Sequence, residues 1–171
     1  MLKLILGTMK SGKSLRLLDE AFLLIKKFYP KKANFIIIRN SKDTRDFFTR
    51  SSNYEDFIFH FGDEKTSLEP YDFIFIDEVQ FFDKSYINQI IKLSFSKDIF
   101  VAGLKADVKN KIWANVAKLI PYADDIIYPK AHCDKCGESP ACFHPCFHLG
   151  NGKIGNDYLV LCRQCYKEDL R

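Results

Sequence analysis

Eight residues near the start of the chain, Gly7-Thr8-Met9-Lys10-Ser11-Gly12-Lys13-Ser14, satisfy G-x-x-x-x-G-K-[ST]. Glycines let successive backbone N–H groups turn inward on phosphate oxygens, and a helix starting at that point adds positive potential. Lys13 reaches the outer phosphates and the Ser14 hydroxyl can ligate magnesium. The chemistry these residue types suit is binding of a magnesium nucleoside triphosphate. A second stretch, Asp77-Glu78-Val79-Gln80-Phe81-Phe82, sets two carboxylates at the end of an apolar run. An acid at such a strand end holds magnesium as the ion bridges the outer phosphates, which suits Asp77. Glu78 points elsewhere because the strand is ending, and can accept a proton from an attacking hydroxyl or water. Capping of the following loop remains the alternative for either acid. A guanine-specific site would want N-K-x-D, whereas Asn110-Lys111 continues into Ile112-Trp113, so ATP is the expected donor.

A different chemistry gathers near the other end. Cys133-x2-Cys136 and Cys162-x2-Cys165 are two knuckles that together supply four thiolates, the donor set of a closed tetrahedral zinc site. Filling all four positions from the protein makes the zinc structural. In a reducing compartment six cysteines read as ligands or free thiols rather than disulfides. Cys142, Cys146, His132, His144 and His148 are read as ordinary loop residues, with substitution as a ligand or binding of a second ion the alternative. The glycine-rich run Leu149–Asn156, tied at both ends by the knuckles and leading into Tyr158, has the length and composition of a lid over a small substrate.

The elements that must position these groups alternate along the chain. Leu2, Leu4, Ile5 and Leu6 form a short apolar run ending in Gly7, as in a buried parallel strand. Leu15, Leu18, Phe22 and Ile25 keep helical spacing until Tyr29-Pro30, so the glycine loop joins a strand to a helix. Residues 34–39, 56–61, 71–77 and 98–103 read as further strands, with helices through Tyr86–Leu93 and Trp113–Leu119 and an edge strand at 125–128. This order predicts an α/β fold with a mostly parallel sheet and helices on its faces. Periodicity fails from Ala131 onward, which divides the chain into a nucleotide-binding core, 1–130, and a small C-terminal zinc-binding lobe carrying the lid, 131–171.

Composition narrows the partners. The chain has 171 residues, 47% of them hydrophobic, with a net charge of +4 spread among acids rather than massed in a tail. That length is enough for one α/β domain and a small appendage. MLKLIL runs directly into the glycine loop, and no apolar stretch approaches the roughly 18 residues needed to span a bilayer. The expectation is a cytoplasmic protein without membrane attachment. Two enzyme classes fit a phosphate loop beside an acid pair: a kinase of a small molecule, or a nucleic-acid-stimulated ATPase with a zinc ribbon. The lobe has no cluster of Lys and Arg with interleaved aromatics, which argues against a nucleic-acid partner.

In order and spacing, these motifs resemble the type II thymidine kinases, zinc-containing deoxynucleoside kinases with a RecA-like P-loop core. The resemblance is carried by G-x-M-x-S-G-K-S at Gly7–Ser14, K-D-T-R at Lys42–Arg45 and D-E-x-Q-F-F at Asp77–Phe82. It continues through A-G-L at Ala102–Leu104, N-V-x-x-L-I-P at Asn115–Pro121 and C-R-x-C-Y at Cys162–Tyr166. It implies transfer of a phosphoryl group from magnesium-ATP to the 5′-hydroxyl of thymidine, with Glu78 as general base. It further implies Asp43 and Arg45 near the phosphates, where the sequence alone equally allows a surface ion pair. Met9, Phe81, Leu104 and Tyr158 fall where the family lines its nucleoside pocket, with core packing the alternative for Leu104. A homotetramer and feedback inhibition by the end-product triphosphate are also implied. Several positions depart from the family: Lys10 replaces an aromatic, Val108 and Trp113 stand in the wall facing the base, Phe143 replaces a Ser or Thr, and the lid is shortened to Ile154–Tyr158.

Overall fold

A computed structural model describes residues 1–28, 33–41, 61–143 and 159–169. Six strands form a single sheet: β1 (Leu2–Gly7), β2 (Phe35–Ile38), β3 (Phe61–Gly62), β4 (Phe73–Ile76), β5 (Asp98–Leu104) and β6 (Asp125–Ile127). Their order is β3-β2-β4-β5-β1-β6 and every pairing is parallel. The sheet is therefore wholly parallel among the described residues, and the expected α/β class holds. Positions 56–60 of the anticipated third strand lie outside the described residues.

Parallel sheets are covered on both faces, which is why the strands read as unbroken apolar runs. Alternate side chains then divide between two cores. On one face, Leu4, Leu6, Ile74, Ile76, Ile99 and Val101 pack with Ile87 and Ile90 of α2 (Lys84–Ser94) and Val116 and Leu119 of α3 (Ala114–Leu119). On the other, Ile5, Phe75, Phe100 and Ala102 pack with Leu17, Leu18 and Ala21 of α1 (Lys13–Phe28). Phe75 and Phe100 stack across β4 and β5 with ring centroids 4.9 Å apart.

The register brings the motif-bearing strand ends to one edge. Gly7 pairs with Leu104, Ile76 with Val101, and the Lys105 N–H donates to Gly7 O at 3.0 Å. The phosphate loop and the acid pair thus emerge together at the carboxyl end of the sheet, where doubly wound folds bind ligands.

Beyond Ala131 the lobe is held by the isolated bridges Ala131–Ala141 and Phe143–Leu161 and by a cluster of Ala131, Ala141, Val160, Leu161 and two of the cysteines. It also contains a short helix, α4 (Arg163–Asp169), which loss of periodicity did not lead us to expect. Two turns are too short to establish a period; the helix instead grows from the second knuckle, where the Tyr166 N–H donates to Cys162 O at 3.0 Å. Among the described residues no helix is long and apolar enough to cross a membrane.

Phe100 is 2% exposed and Phe95, at the end of α2, is 80% exposed. Phe100→Ala is expected to lower unfolding stability by about 3–5 kcal/mol, and Phe95→Ala by less than about 0.5 kcal/mol, in urea denaturation.

Candidate active site

The phosphate loop is folded on itself. Ser11 Oγ donates to Thr8 O at 3.0 Å, Lys13 Nζ to the same carbonyl at 2.8 Å, and the Arg16 N–H to Gly12 O at 2.9 Å. Gly12 has φ +77, a conformation open to glycine at little cost. Gly7 is needed for space: a Cβ there would lie 2.3 Å from Ser11 Oγ. Lys10 also adopts a left-handed backbone, φ 58, at a cost of about 1–2 kcal/mol. Its Nζ reaches both carboxylate oxygens of Asp134, at 3.0 and 2.9 Å.

The acid pair meets this loop directly. Ser14 Oγ donates to Asp77 Oδ2 at 2.7 Å, and the Glu78 N–H donates to Asp77 Oδ1 at 2.9 Å. Asp77 is 1% exposed. Burial, and then the neighbouring Glu78 charge, push its carboxyl up to about 6 against the opposing pull of Ser14 and Lys13. A buried acid with two donors and a cation nearby is an environment suited to a divalent ion, and Ser14 and Asp77 are the residues that would hold magnesium.

Glu78 turns away from Asp77 because its backbone is left-handed, φ 52, as β4 gives way to a 3-10 turn over Val79–Phe81. Gln80 fixes the result: its Nε2 donates to Glu78 Oε2 at 2.5 Å, and its Oε1 accepts the Leu104 N–H at 3.0 Å. Asn115 holds the turn itself, donating to Phe82 O at 2.7 Å with Val79 O and Gln80 O at 3.2 and 3.3 Å. Asn40 adds a bond to Phe81 O at 3.3 Å. Gly103 makes room, since a Cβ there would lie 2.7 Å from Val79 Cγ1. Our reading of the sequence gave Gln80 and Asn115 no role. Both sit in the motifs that carry the family resemblance, which was the available signal.

Of the residues expected along a nucleoside wall, Phe81, Trp113 and Leu104 meet at this turn. Phe81 and Trp113 meet edge to face with centroids 5.9 Å apart. Leu104 is buried and tied to Gln80 through its backbone, while Val108 is half-buried in the turn after β5. Met9 packs against the lobe cluster. Asp43, Arg45, Tyr158, the lid 149–156, His144, Cys146 and His148 lie outside the described residues.

The metal group is assembled as its spacing predicts. Cys133, Cys136, Cys162 and Cys165 bring their sulfurs within 4.8 Å of one another, and Cys136 and Cys162 Sγ lie 3.7 Å apart. A tetrahedron with Zn–S bonds of about 2.3 Å has edges of about 3.8 Å, so the spacing fits zinc. Gly137, φ +75, closes the first knuckle and donates to Cys133 O at 2.9 Å. Against the penalty of burial, backbone groups of Cys162, Cys136 and Lys135 bring the Cys133 thiol down to about 6, while burial and the neighbouring thiols push Cys165 up, as expected of four thiols crowded together without a cation. Cys142 lies apart from this group, against Pro140 O at 3.9 Å. Phe143 stacks on Tyr166 at 4.4 Å, with the Arg163 guanidinium 5.4 Å from its ring, and so braces the lobe.

A parallel sheet, a phosphate loop at the end of β1 and a hydrogen-bonded acid at the end of β4 define a P-loop nucleotide-binding protein of the kinase and ATPase class. Comparison with known proteins narrows the class: the thymidine kinase family matches residues 1–166, and the chain belongs to that family. It is 32% identical to a thymidine kinase of Pseudothermotoga lettingae, covering 98% of this chain and 95% of that one. A thymidine kinase of Mycoplasma mobile is also 32% identical, over 98% of this chain and 87% of its own length. One from Amsacta moorei entomopoxvirus is 29% identical, over 96% and 97%.

Asn115→Ala leaves carbonyls of the buried Val79, Gln80 and Phe82 without their side-chain donor. The expected loss is about 1–3 kcal/mol of unfolding stability by urea titration, with Asn115→Asp losing a similar amount because it keeps the shape but not the donor.

Proposed function

We propose that this chain transfers the γ-phosphoryl group of ATP to the 5′-hydroxyl of thymidine. The observation that carries the reading is the 2.7 Å bond between Ser14 and Asp77, which joins the phosphate loop to the acid pair in a chain of the thymidine kinase family. The backbone N–H groups of Gly7–Ser14 and the Lys13 ammonium receive the β- and γ-phosphates. Magnesium held by Ser14 and Asp77 neutralises charge on those phosphates when bound. Glu78, positioned by Gln80, accepts the proton of the 5′-hydroxyl as its oxygen forms the new bond to phosphorus and the bond from the γ-phosphorus to the bridging oxygen of ADP breaks. Met9, Phe81, Leu104, Val108, Trp113 and Tyr158 line the base, and Asp43 and Arg45 stand near the phosphates. The four cysteines hold a structural zinc in the lobe, 131–171, which carries the substrate lid beside the core, 1–130. The family resemblance adds a cytoplasmic homotetramer to this reading.

Glu78→Gln is expected to reduce kcat by about 10²–10⁴-fold while leaving the ATP KM within a few-fold, in coupled ADP release across a nucleoside panel. Wild-type turnover that needs no nucleoside, or full activity in the variant, would overturn the assignment.

Asp77 supplies a pH test. With its folded value raised to about 6 from 3.8, the folded chain binds the extra proton between those values, and a protonated carboxyl is a poor magnesium ligand. The affinity of the nucleotide-free enzyme for magnesium-ATP, read by calorimetry, should therefore fall as pH drops through 6. Asp77→Asn should bind weakly and show no such step.

A further inference from the structure

Two backbone conformations in the site are left-handed without being glycine, and one of them, Lys10, has its side chain committed outside the core. Lys10 Nζ spans to Asp134, which lies between the metal-knuckle residues Cys133 and Cys136. Asp134 is in turn fastened to the opposite arm of the knuckle: its N–H donates to Val160 O at 2.8 Å and its Oδ2 accepts the Val160 N–H at 2.6 Å. Val160 stands two residues before Cys162. Beside this bridge Met9 packs against the cluster formed by Ala131, Val160, Leu161, Cys133 and Cys165.

We propose that the Lys10–Asp134 ion pair couples metal occupancy of the four-cysteine group to nucleotide binding at the phosphate loop, each strengthening the other. The proposal rests on the reading of Gly7–Ser14 as the phosphate site and of the cysteines as the metal site, and adds a thermodynamic link between them. A metal bound by cysteines of both arms holds the arms together and so fixes Asp134, which stands in one arm and is bonded to Val160 of the other. A fixed Asp134 holds Lys10 in its left-handed conformation, where the N–H groups of the middle of the loop stay turned inward. Loss of the metal frees the arms, and the loop then gives up its phosphate-ready shape more easily.

The side chains of the pair are 46% and 25% exposed, and an ion pair of that exposure is weak on its own. Its effect here comes from backbone bonds that set both ends, so the coupling belongs at the low end of the usual range, about fivefold. Linkage makes it reciprocal: nucleotide must tighten the metal by the factor by which metal tightens nucleotide. Lys10 is then a positioning residue, acting through Asp134. The ion pair, with Met9 beside it, joins loop to lobe.

The test measures zinc affinity by competition with a chromogenic chelator, with and without magnesium-ADP. The proteins are the wild type, Lys10→Met, Lys10→Arg and Asp134→Asn, the last retaining an acceptor for the Val160 N–H. ADP is expected to tighten zinc about fivefold in the wild type and in Lys10→Arg, and to leave it unchanged in Lys10→Met and Asp134→Asn. A wild-type ratio of one, or the same ratio in Lys10→Met as in the wild type, overturns the coupling. Failure of the wild type to bind either zinc or ADP overturns the reading of the sites, and the coupling with it. Circular dichroism of the stripped proteins accompanies the competition, because in a chain that unfolds without metal nucleotide would tighten zinc through folding alone, equally in all four proteins.

Discussion

A carboxylate buried at the end of β4 is the constraint around which the rest of the site is arranged. Asp77 is almost completely removed from water, and an ionised acid in that position is tolerated only with donors and positive charge beside it. Ser14 supplies one donor and the Glu78 backbone another, with Lys13 nearby. Ser14 lies in the first turn of α1, after β1, and Asp77 directly follows β4; β1 and β4 are separated in the sheet by β5. Gly103, next to the end of β5, leaves room for the turn that follows Asp77. A side chain at Gly103 would drive into Val79 and Gln80, and so displace the turn that holds Glu78. The sheet order, the glycine and the acid therefore form one requirement.

Two of the three non-glycine residues with positive φ among the described residues lie in the site, the third being Asn110. Lys10 and Glu78 both have positive φ, and each is held by contacts from a different part of the chain. Glu78 is bonded by Gln80, and Asn115 and Asn40 secure the carbonyls of the turn that follows. Lys10 is held from the lobe through Asp134. Sparsely populated conformations persist when their surroundings determine them several times over, which is the case for both.

The difference between these two supports explains what was legible in the sequence. The parallel sheet was readable because buried strands need continuous apolar residues, and NFIIIR, YDFIFID and DIFVAG have few other physical interpretations. Gly12, Lys13, Ser14 and Asp77 were readable because phosphate and magnesium demand those residue types at that spacing. The four cysteines were readable for the same reason. Gln80 and Asn115 were not assigned, because an amide donating to a side chain or a carbonyl leaves no periodic or compositional trace. Helix α4 was missed because it is shorter than any period that could announce it.

Lys10 shows why substitutions at such a site are hard to interpret from type alone. Replacing an aromatic by a lysine in the middle of a phosphate loop looks, in the sequence, like a change in what the pocket binds. In the structure the lysine's charge is engaged by Asp134, while Met9 beside it packs against the lobe cluster. An aromatic and a paired lysine can both join loop to lobe, one through buried area and the other through an ion pair whose ends are set by backbone hydrogen bonds. A lysine at this position therefore makes the junction depend on salt and on the order of the metal knuckle, as an apolar contact would not.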